Sequence, residues 1–505
     1  MNYSKAIKKL REIDKEIVLI THIAGVLDWD QESVPPAGVD ERAVQLGWLE
    51  KKIHLLSTSN EMGELLSSLG ADEHNPEGST ELTQNDRALV RILFTNWNRE
   101  RKLDASFVQE FAETTSRAHG IWAEARKSDD FSKFSGTLQH IIDLIREKSS
   151  RYGFKDDPYD PLLDTFEPGT TTAEVVTLFS KMREDLLEVL DKMKGSERVD
   201  DSFLYQKYPQ DKLESITHEI LGMIGFDFNR GGIGKATHPY TTSLGADDIR
   251  ITNRYTEPSL AAPLFTALHE GGHALYEQGS SHALTAGSSL SGGASFAFHE
   301  SQSRLWENII GRGKAFWSYF YPRLSATFSS QLSEISLQQF LRAINTVEPT
   351  FIRTEADEVT YGLHIILRFE LERALLSGSL EVKDLPEAWN DRMVTLLGIR
   401  PSSNRKGVLQ DVHWSMGEFG YFPTYAMGNL YGAQIYQTMA HDIDIESLVA
   451  NGQLTTINEW LHEHVYKYGS IYEPKKLLEK ISGRPLDTNC FAEYLKNKYL
   501  RGGLL

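Results

Sequence analysis

Apolar residues recur along most of this chain at three- and four-residue steps, the spacing that puts them on one face of a helix. Ile7, Leu10, Ile13, Ile17 and Ile20 form the first such stripe. Val175, Leu178, Met182, Leu186, Val189 and Met193 form a second. It opens on Thr171-Thr172-Ala173-Glu174, a capping box that satisfies two orphan N–H groups at a helix start. Ile365, Phe369, Leu371 and Leu375 make a third stripe after a polar start. Alternation of period two is scarce. The strand candidate is Asp248-Ile249-Arg250-Ile251-Thr252-Asn253-Arg254-Tyr255, following the turn residue Gly245. Three stretches read as irregular: the proline-broken loop Asp156 to Pro161, the run Gly231-Gly232-Ile233-Gly234, and the Gly/Ser/Ala-rich segment from Gly279 to Ser295. No repeat of fixed period and no low-complexity tract interrupts them. The pattern predicts an all-α, predominantly helical fold with a small antiparallel β element, as one unit over residues 1–505.

Composition narrows the partners. Acidic residues outnumber basic ones, 71 to 53, for a formal net charge of −18. With no long Lys/Arg cluster, nucleic acid and anionic membrane are poor partners. No run approaches the ~18 apolar residues of a membrane span, and the first ten residues lead into no apolar signal core. Cytoplasm is the expected compartment. The one cysteine, Cys490, excludes a disulfide framework and a cysteine-rich zinc site, and reads as a buried thiol.

The chemistry centres on Leu268-His269-Glu270-Gly271-Gly272-His273-Ala274-Leu275. This is H-E-x-x-H, and in a helix it sets two imidazoles one turn apart on one face, where both can reach one ion. Glu270 lies beside that face, placed to take a proton from water activated at the ion rather than to bind the ion. Leu260, Leu264, Leu268 and Leu275 supply the helix's apolar stripe, and Gly279 is a candidate C′ stop. Gly271 and Gly272 each cost about 1 kcal/mol of helix propensity relative to Ala. That cost implies a close neighbour: a substrate backbone or a crossing helix. A catalytic zinc also needs a third protein ligand. Phe298-His299-Glu300-Ser301-Gln302 offers Glu300, with His299 as its rival. Neighbouring helical residues point about 100° apart, so only one of them suits the ion, and His299 is better read as support.

Here the chain resembles the carboxypeptidase Taq family of metallocarboxypeptidases. Five signatures appear in the family's order: Asp248-Ile249-Arg250-Ile251-Thr252, His269 to His273, His299-Glu300-Ser301-Gln302, Ile352-Arg353-Thr354-Glu355-Ala356-Asp357, and Gly407-Val408-Leu409-Gln410-Asp411-Val412-His413-Trp414. Leu27-Asp28-Trp29-Asp30 with Pro35-Pro36 and Arg42, Tyr159-Asp160 with Glu167-Pro168-Gly169, and His238-Pro239-Tyr240 are similar to that family too, Tyr240 standing where Phe is expected. The resemblance implies two lobes around a deep groove, a homodimer, and broad-specificity removal of C-terminal residues from peptides with a free C-terminus. It also implies a metal, ordinarily zinc with cobalt able to replace it, held by His269, His273 and Glu300, with Glu270 as general base and acid.

The remaining roles are set by the reaction. A tetrahedral oxyanion needs donors; His413 is the first candidate, with Tyr421 and Tyr425 next, as in related helical zinc peptidases that pair a His with a downstream Tyr. A substrate carboxylate suits arginine's planar fork. Arg353 comes first, with Arg250 and Arg405 behind and His238 as a further substrate-binding candidate. The structural alternatives are an i, i+4 ion pair of Arg353 with Asp357, turn or strand-edge chemistry for Asp248, and helix packing and capping for Trp29 with its two aspartates. The strand around Ile249 and Ile251 is a candidate edge for an extended peptide, a core hairpin being its rival, and the segment 280–295 a candidate lip of the cleft. Two other functions compete: a related zinc oligopeptidase or dipeptidyl-carboxypeptidase, and an inactive metal-bound peptide-binding scaffold.

Overall fold

The computed structural model describes residues 3–33, 38–195, 199–236, 238–255, 258–284 and 287–503, so Pro35 and Pro36 of the N-terminal signature lie outside the described residues. Two compact units emerge, each built from three stretches of chain. The first comprises Met1–Arg101, Val199–Ile344 and Ile435–Pro485; the second comprises Lys102–Arg198, Asn345–Gln434 and Leu486–Leu505. Seven helices bear on the site and its supports: α1 (Tyr3–Ser33), α2 (Thr172–Met193), α3 (Gln210–Ile224), α4 (Ala261–Leu284), α5 (Phe296–Arg304), α6 (Glu358–Ser377) and α7 (Phe422–Asp442). Among the described residues no helix is long and apolar enough to cross a membrane.

In the first unit, α1 buries Ile7, Leu10, Ile13 and Ile17 against Leu65, Leu66, Leu89 and Leu93. Each such side chain contributes about 1.5–3 kcal/mol on burial. The small sheet contains β1 (Gly231–Lys235), β2 (Thr241–Ser243) and β3 (Ile249–Asn253) in the order β1-β3-β2. The antiparallel expectation holds for β2 with β3, while β1 adds a parallel partner. That partner comes from the glycine run expected to be irregular. Glycine has poor strand propensity, but here close approach requires it. A Cβ at Gly231 would lie 1.9 Å from the Ile249 carbonyl oxygen, and one at Gly234 would lie 2.6 Å from the Trp29 ring. Because β3 is paired on both sides, it offers no edge to an extended peptide, and the hairpin reading is the correct one.

The helix α4 runs on to Leu284, so Gly279 is not its stop. A Cβ at Gly279 would sit 2.5 Å from the Tyr466 Cβ, which makes it a packing glycine. The same holds for the pair inside the zinc-type motif. A Cβ at Gly271 would meet Ile224 and Leu221 of α3 at 2.7 Å, and one at Gly272 would meet the Gln302 carbonyl oxygen of α5 at 2.5 Å. The close neighbours are crossing helices.

The second unit contains α2, which opens on the predicted capping box: the Thr171 N–H donates to the Glu174 carboxylate at 2.8 Å, and the Thr171 hydroxyl accepts from the Glu174 N–H. α2 packs on α6 where Gly362 lets Leu186 and Met182 approach; a Cβ there would lie 2.6 Å from both. α6 is buried on nearly every side, including His364, Arg368 and Glu372, so its apolar stripe alone understates its burial. The stretch Asp156 to Pro161 is loop only in part. A helix starts at Asp160, with Pro161 in its first turn, where a missing N–H is tolerated. Cys490 is buried, as expected.

Candidate active site

α4 and α5 cross with Gly272 at their contact, and the crossing brings three ligand-type atoms together. Ligand atoms of His269, His273 and Glu300 all lie within 4.8 Å of one another. The Glu300 Oε2 is 3.7 Å from the His269 Nε2 and 3.5 Å from the His273 Nε2. The Ser295 hydroxyl caps α5 by accepting from the Phe298 N–H at 3.0 Å, which fixes where the helix begins. Arg304, one turn after Glu300, donates to its Oε1 at 2.6 Å. Burial pushes the Glu300 carboxyl up, but the Arg304 and His269 charges outweigh it and hold Glu300 well below the usual carboxylate range. Burial pushes His273 down to about 3. His269 is raised: burial pulls it down, and the charges of Glu300 and Glu307 more than compensate. Two imidazole nitrogens from half-buried rings and an oxygen of a buried carboxylate converge here, a donor set that fits a divalent cation of the zinc type.

Glu270 is buried beside this cluster and is not one of its three members. The Thr241 Oγ1 on β2 sits 2.7 Å from its Oε2 and 3.0 Å from its carbonyl oxygen. Burial raises the Glu270 pKa, opposed by the His269 charge and the Thr241 bond. A carboxyl raised in this way is suited to giving and taking a proton nearer neutrality. His269 has a carboxylate partner on its other side, with Nδ1 2.9 Å from the Glu307 Oε2. Glu307 is itself within 3.4 Å of Arg304 and Arg312. His299 turns away from the cluster: its Nδ1 is 2.6 Å from the His273 Nδ1, and its Nε2 is 2.7 Å from the Glu277 Oε1. It supports a ligand rather than rivalling Glu300. Sequence reasoning missed Thr241, Glu277 and Glu307. The i, i+4, i+7 spacing of Glu300, Arg304 and Glu307 was the available signal, though a π-helical turn over Leu305–Ile310 disturbs that periodicity.

The second unit gathers another set of predicted residues. His413 opens a 3₁₀ turn, with its Nε2 3.2 Å from the Tyr425 hydroxyl and its ring 5.7 Å from that of Tyr421. Burial lowers His413 to about 4, so the imidazole is neutral near pH 7. Its Nδ1 has no hydrogen-bond partner among the described residues. Arg353 does not pair with Asp357, because the two are not on one helix. Asp357 caps α6, accepting from the Val359 and Thr360 N–H groups. Arg353 instead turns its Nε and Nη2 to the Asp411 Oδ1, at 3.1 and 2.9 Å, and its Nη1 to the Tyr361 hydroxyl at 3.2 Å. Arg368 takes the other oxygen of Asp411, its Nε at 2.7 Å. The Gln410 side chain accepts from the Arg353 N–H at 2.9 Å. The I-R-x-x-A-D and G-x-x-Q-D-x-H-W signatures are therefore one hydrogen-bonded cluster. Arg405 is exposed in this unit, its N–H donating to Asp129.

The first unit holds the rest. Arg250 is gripped bidentately by Asp248, at 2.8 and 2.7 Å, and lies over the Trp29 ring. The Tyr240 N–H donates to the Thr252 Oγ1 at 2.8 Å, and the Tyr240 ring meets Trp29 edge-on. Trp29 thus packs from within α1, while Asp30 pairs with Arg42 at 2.7 Å. His238 is exposed.

A helical fold with two imidazoles one turn apart, a carboxylate from the next helix and a buried glutamate between them defines a metallopeptidase of the H-E-x-x-H class. The chain belongs to the carboxypeptidase Taq (M32) metallopeptidase family, whose sequence profile matches residues 9–499. It is 39% identical to Thermostable carboxypeptidase 1 of Pyrococcus furiosus, over 98% of this chain and 99% of that one. It is 36% identical to Carboxypeptidase 1 of Bacillus subtilis, over 97% of each. The solved structure of an M32 carboxypeptidase from Deinococcus radiodurans R1 superposes with a TM-score of 0.93 at 35% identity, covering 99% of both chains. The protein is accordingly a metallocarboxypeptidase, a hydrolase of peptide bonds.

Proposed function

We propose that the protein releases single C-terminal residues from peptides with broad specificity, using one zinc ion held by His269, His273 and Glu300. The observation that carries this reading is the convergence of those three side chains' ligand atoms within 4.8 Å of one another, beside the buried Glu270. Zinc bound there supplies the Lewis acidity that makes water a nucleophile near neutral pH, and cobalt is an accepted substitute. Glu270 takes a proton from the attacking water and returns it to the leaving amine nitrogen. Thr241 orients the carboxylate for both transfers.

His413 is proposed as the oxyanion donor. Its imidazole is neutral near pH 7, and its Nε2 lies 3.2 Å from the Tyr425 hydroxyl, so the pair offers an N–H or an O–H to a developing oxyanion. Tyr425, whose hydroxyl lies 3.2 Å from the His413 Nε2, ranks ahead of Tyr421, whose ring centroid lies 5.7 Å from that of the imidazole. Arg353 is proposed to receive the substrate carboxylate. Two buried guanidiniums share the single carboxylate of Asp411, which leaves positive charge for an anion to balance. Arg250 is engaged by Asp248, and it ranks behind with Arg405 and His238. One catalytic domain over residues 1–505 and a cytoplasmic location belong to the same reading, together with the homodimer that the family resemblance implies.

Replacing Glu270 with Gln separates chemistry from metal binding. We expect kcat to fall by about 100-fold or more with metal content unchanged. A variant that keeps its metal and its full kcat removes Glu270 from the mechanism.

A further inference from the structure

Both imidazoles of the cluster use Nδ1 in a hydrogen bond and turn Nε2 toward Glu300, but their supports differ. His269 meets a carboxylate directly, Glu307. His273 meets a second imidazole, His299, and the carboxylate stands one residue further off at Glu277. A carboxylate can only accept. With Glu277 ionised and both rings neutral, the bond at 2.7 Å puts the His299 proton on Nε2. The His299 Nδ1 is then an acceptor, so the 2.6 Å contact puts the His273 proton on Nδ1. That leaves the His273 Nε2 as a lone pair, the form a metal requires. No other neutral arrangement satisfies both bonds.

The near end of this relay is packed. The His299 ring packs on Tyr276, with ring centroids 5.3 Å apart, and Gly293 lies so close that a Cβ there would come within 2.8 Å of it. The far end is open: Glu277 lines a cavity of about 290 Å³ with His22, Thr21, Ser243, Ser289 and Gly292. Glu307, by contrast, is enclosed by Arg304 and Arg312.

We infer that Glu277 is a positioning residue for the metal site, fixing the tautomer of His273 from two residues away through His299. The inference rests on His273 being a metal ligand, as proposed for the catalytic zinc. Sequence spacing alone does not single it out, since Glu277 stands four residues after His273, where a surface glutamate would also sit.

The test uses the full chain, stripped of metal and titrated with zinc against a chromophoric chelator, with ¹⁵N-histidine NMR of the metal-free protein. Glu277→Leu and His299→Phe are expected to weaken zinc binding by about 10- to 100-fold. His299→Asn, which keeps an acceptor near the Nδ1 position, is expected to hold affinity within about threefold. The NMR spectrum is expected to show His273 protonated on Nδ1 in the unaltered protein and a mixture of tautomers in Glu277→Leu. A merely structural role would lower the melting temperature without this pattern. Should Glu277→Leu fail to fold, the Phe and Asn variants at His299 carry the same comparison. Zinc affinity within about twofold of the parent in Glu277→Leu and His299→Phe overturns the inference, provided His273→Ala abolishes binding. If His273→Ala binds zinc as the parent does, the ligand assignment itself has failed and the inference goes with it.

Discussion

Gly272→Ala adds one methyl group at the point where α4 and α5 touch, and its consequences can be worked from the geometry. The new Cβ would lie 2.5 Å from the Gln302 carbonyl oxygen and 2.8 Å from the Gln302 carbonyl carbon and Ser303 Cα. Carbon–oxygen contacts settle at about 3.3 Å or more, so the helices must part by roughly 1 Å. What yields is backbone, with no rotamer to absorb the shift. Overpacking of this kind costs about 1–3 kcal/mol, offset by about 1 kcal/mol of helix propensity. The melting temperature should therefore fall only modestly. Metal binding should suffer more, because Gly272 adjoins His273 and Gln302 comes two residues after Glu300. Metal–ligand distances tolerate only about 0.2 Å, so binding must close the gap against the full strain of about 1–3 kcal/mol. That corresponds to roughly 5- to 150-fold in zinc affinity. Gly271→Ala is the control. Its methyl would meet only the side-chain tips of Ile224 and Leu221, at 2.7 Å, and these can rotate. Chelator competition gives the affinity, and melting of the metal-free protein gives the stability. Zinc binding within about twofold of the parent in Gly272→Ala, or an equal loss in Gly271→Ala, would refute the reasoning.

Two other consequences concern the second unit. Burial raises Glu372 to about 7, against its hydrogen bonds from Tyr159 and Trp414. The folded state therefore holds this proton more tightly than the unfolded chain. Its contribution to stability is full below about 4.5 and lost as pH rises through about 7, roughly 3 kcal/mol in all. Denaturant melts across that range should be flatter for Glu372→Gln than for the parent; identical slopes would contradict the assignment. Lys498 is buried on Glu358, which also accepts from the Tyr494 and Tyr499 hydroxyls at 2.9 and 2.6 Å. Lys498→Met leaves that carboxylate without its counter-charge and should destabilise by about 3–5 kcal/mol in urea unfolding; a loss under about 1 kcal/mol would contradict this.

Much of the site was legible in the sequence because its chemistry is local. The i, i+4 histidines, the glutamate between them and the nearby Glu300 all declare themselves by spacing on one or two helices. The capping box at Thr171 was readable for the same reason. What escaped depends on contacts between distant segments. Gly231, Gly234 and Gly279 read as breakers, yet each admits a neighbour that a Cβ would exclude. Thr241 reaches Glu270 only because β2 lies beside α4. Arg353 reads as a helical partner of Asp357 until the 3₁₀ turn places it on Asp411, 58 residues away. The stripe on α6 could not reveal that its charged residues are buried as well.

The decisive measurement is mass spectrometry of a short peptide incubated with the purified protein, offered with a free and with an amidated C-terminus, each with and without chelator. Metal-dependent release of single residues predicts a ladder from the free peptide alone, abolished by chelator and restored by zinc or cobalt. Chelator-sensitive cuts at internal bonds in both peptides would contradict it, keeping the metal site but making the protein an oligopeptidase.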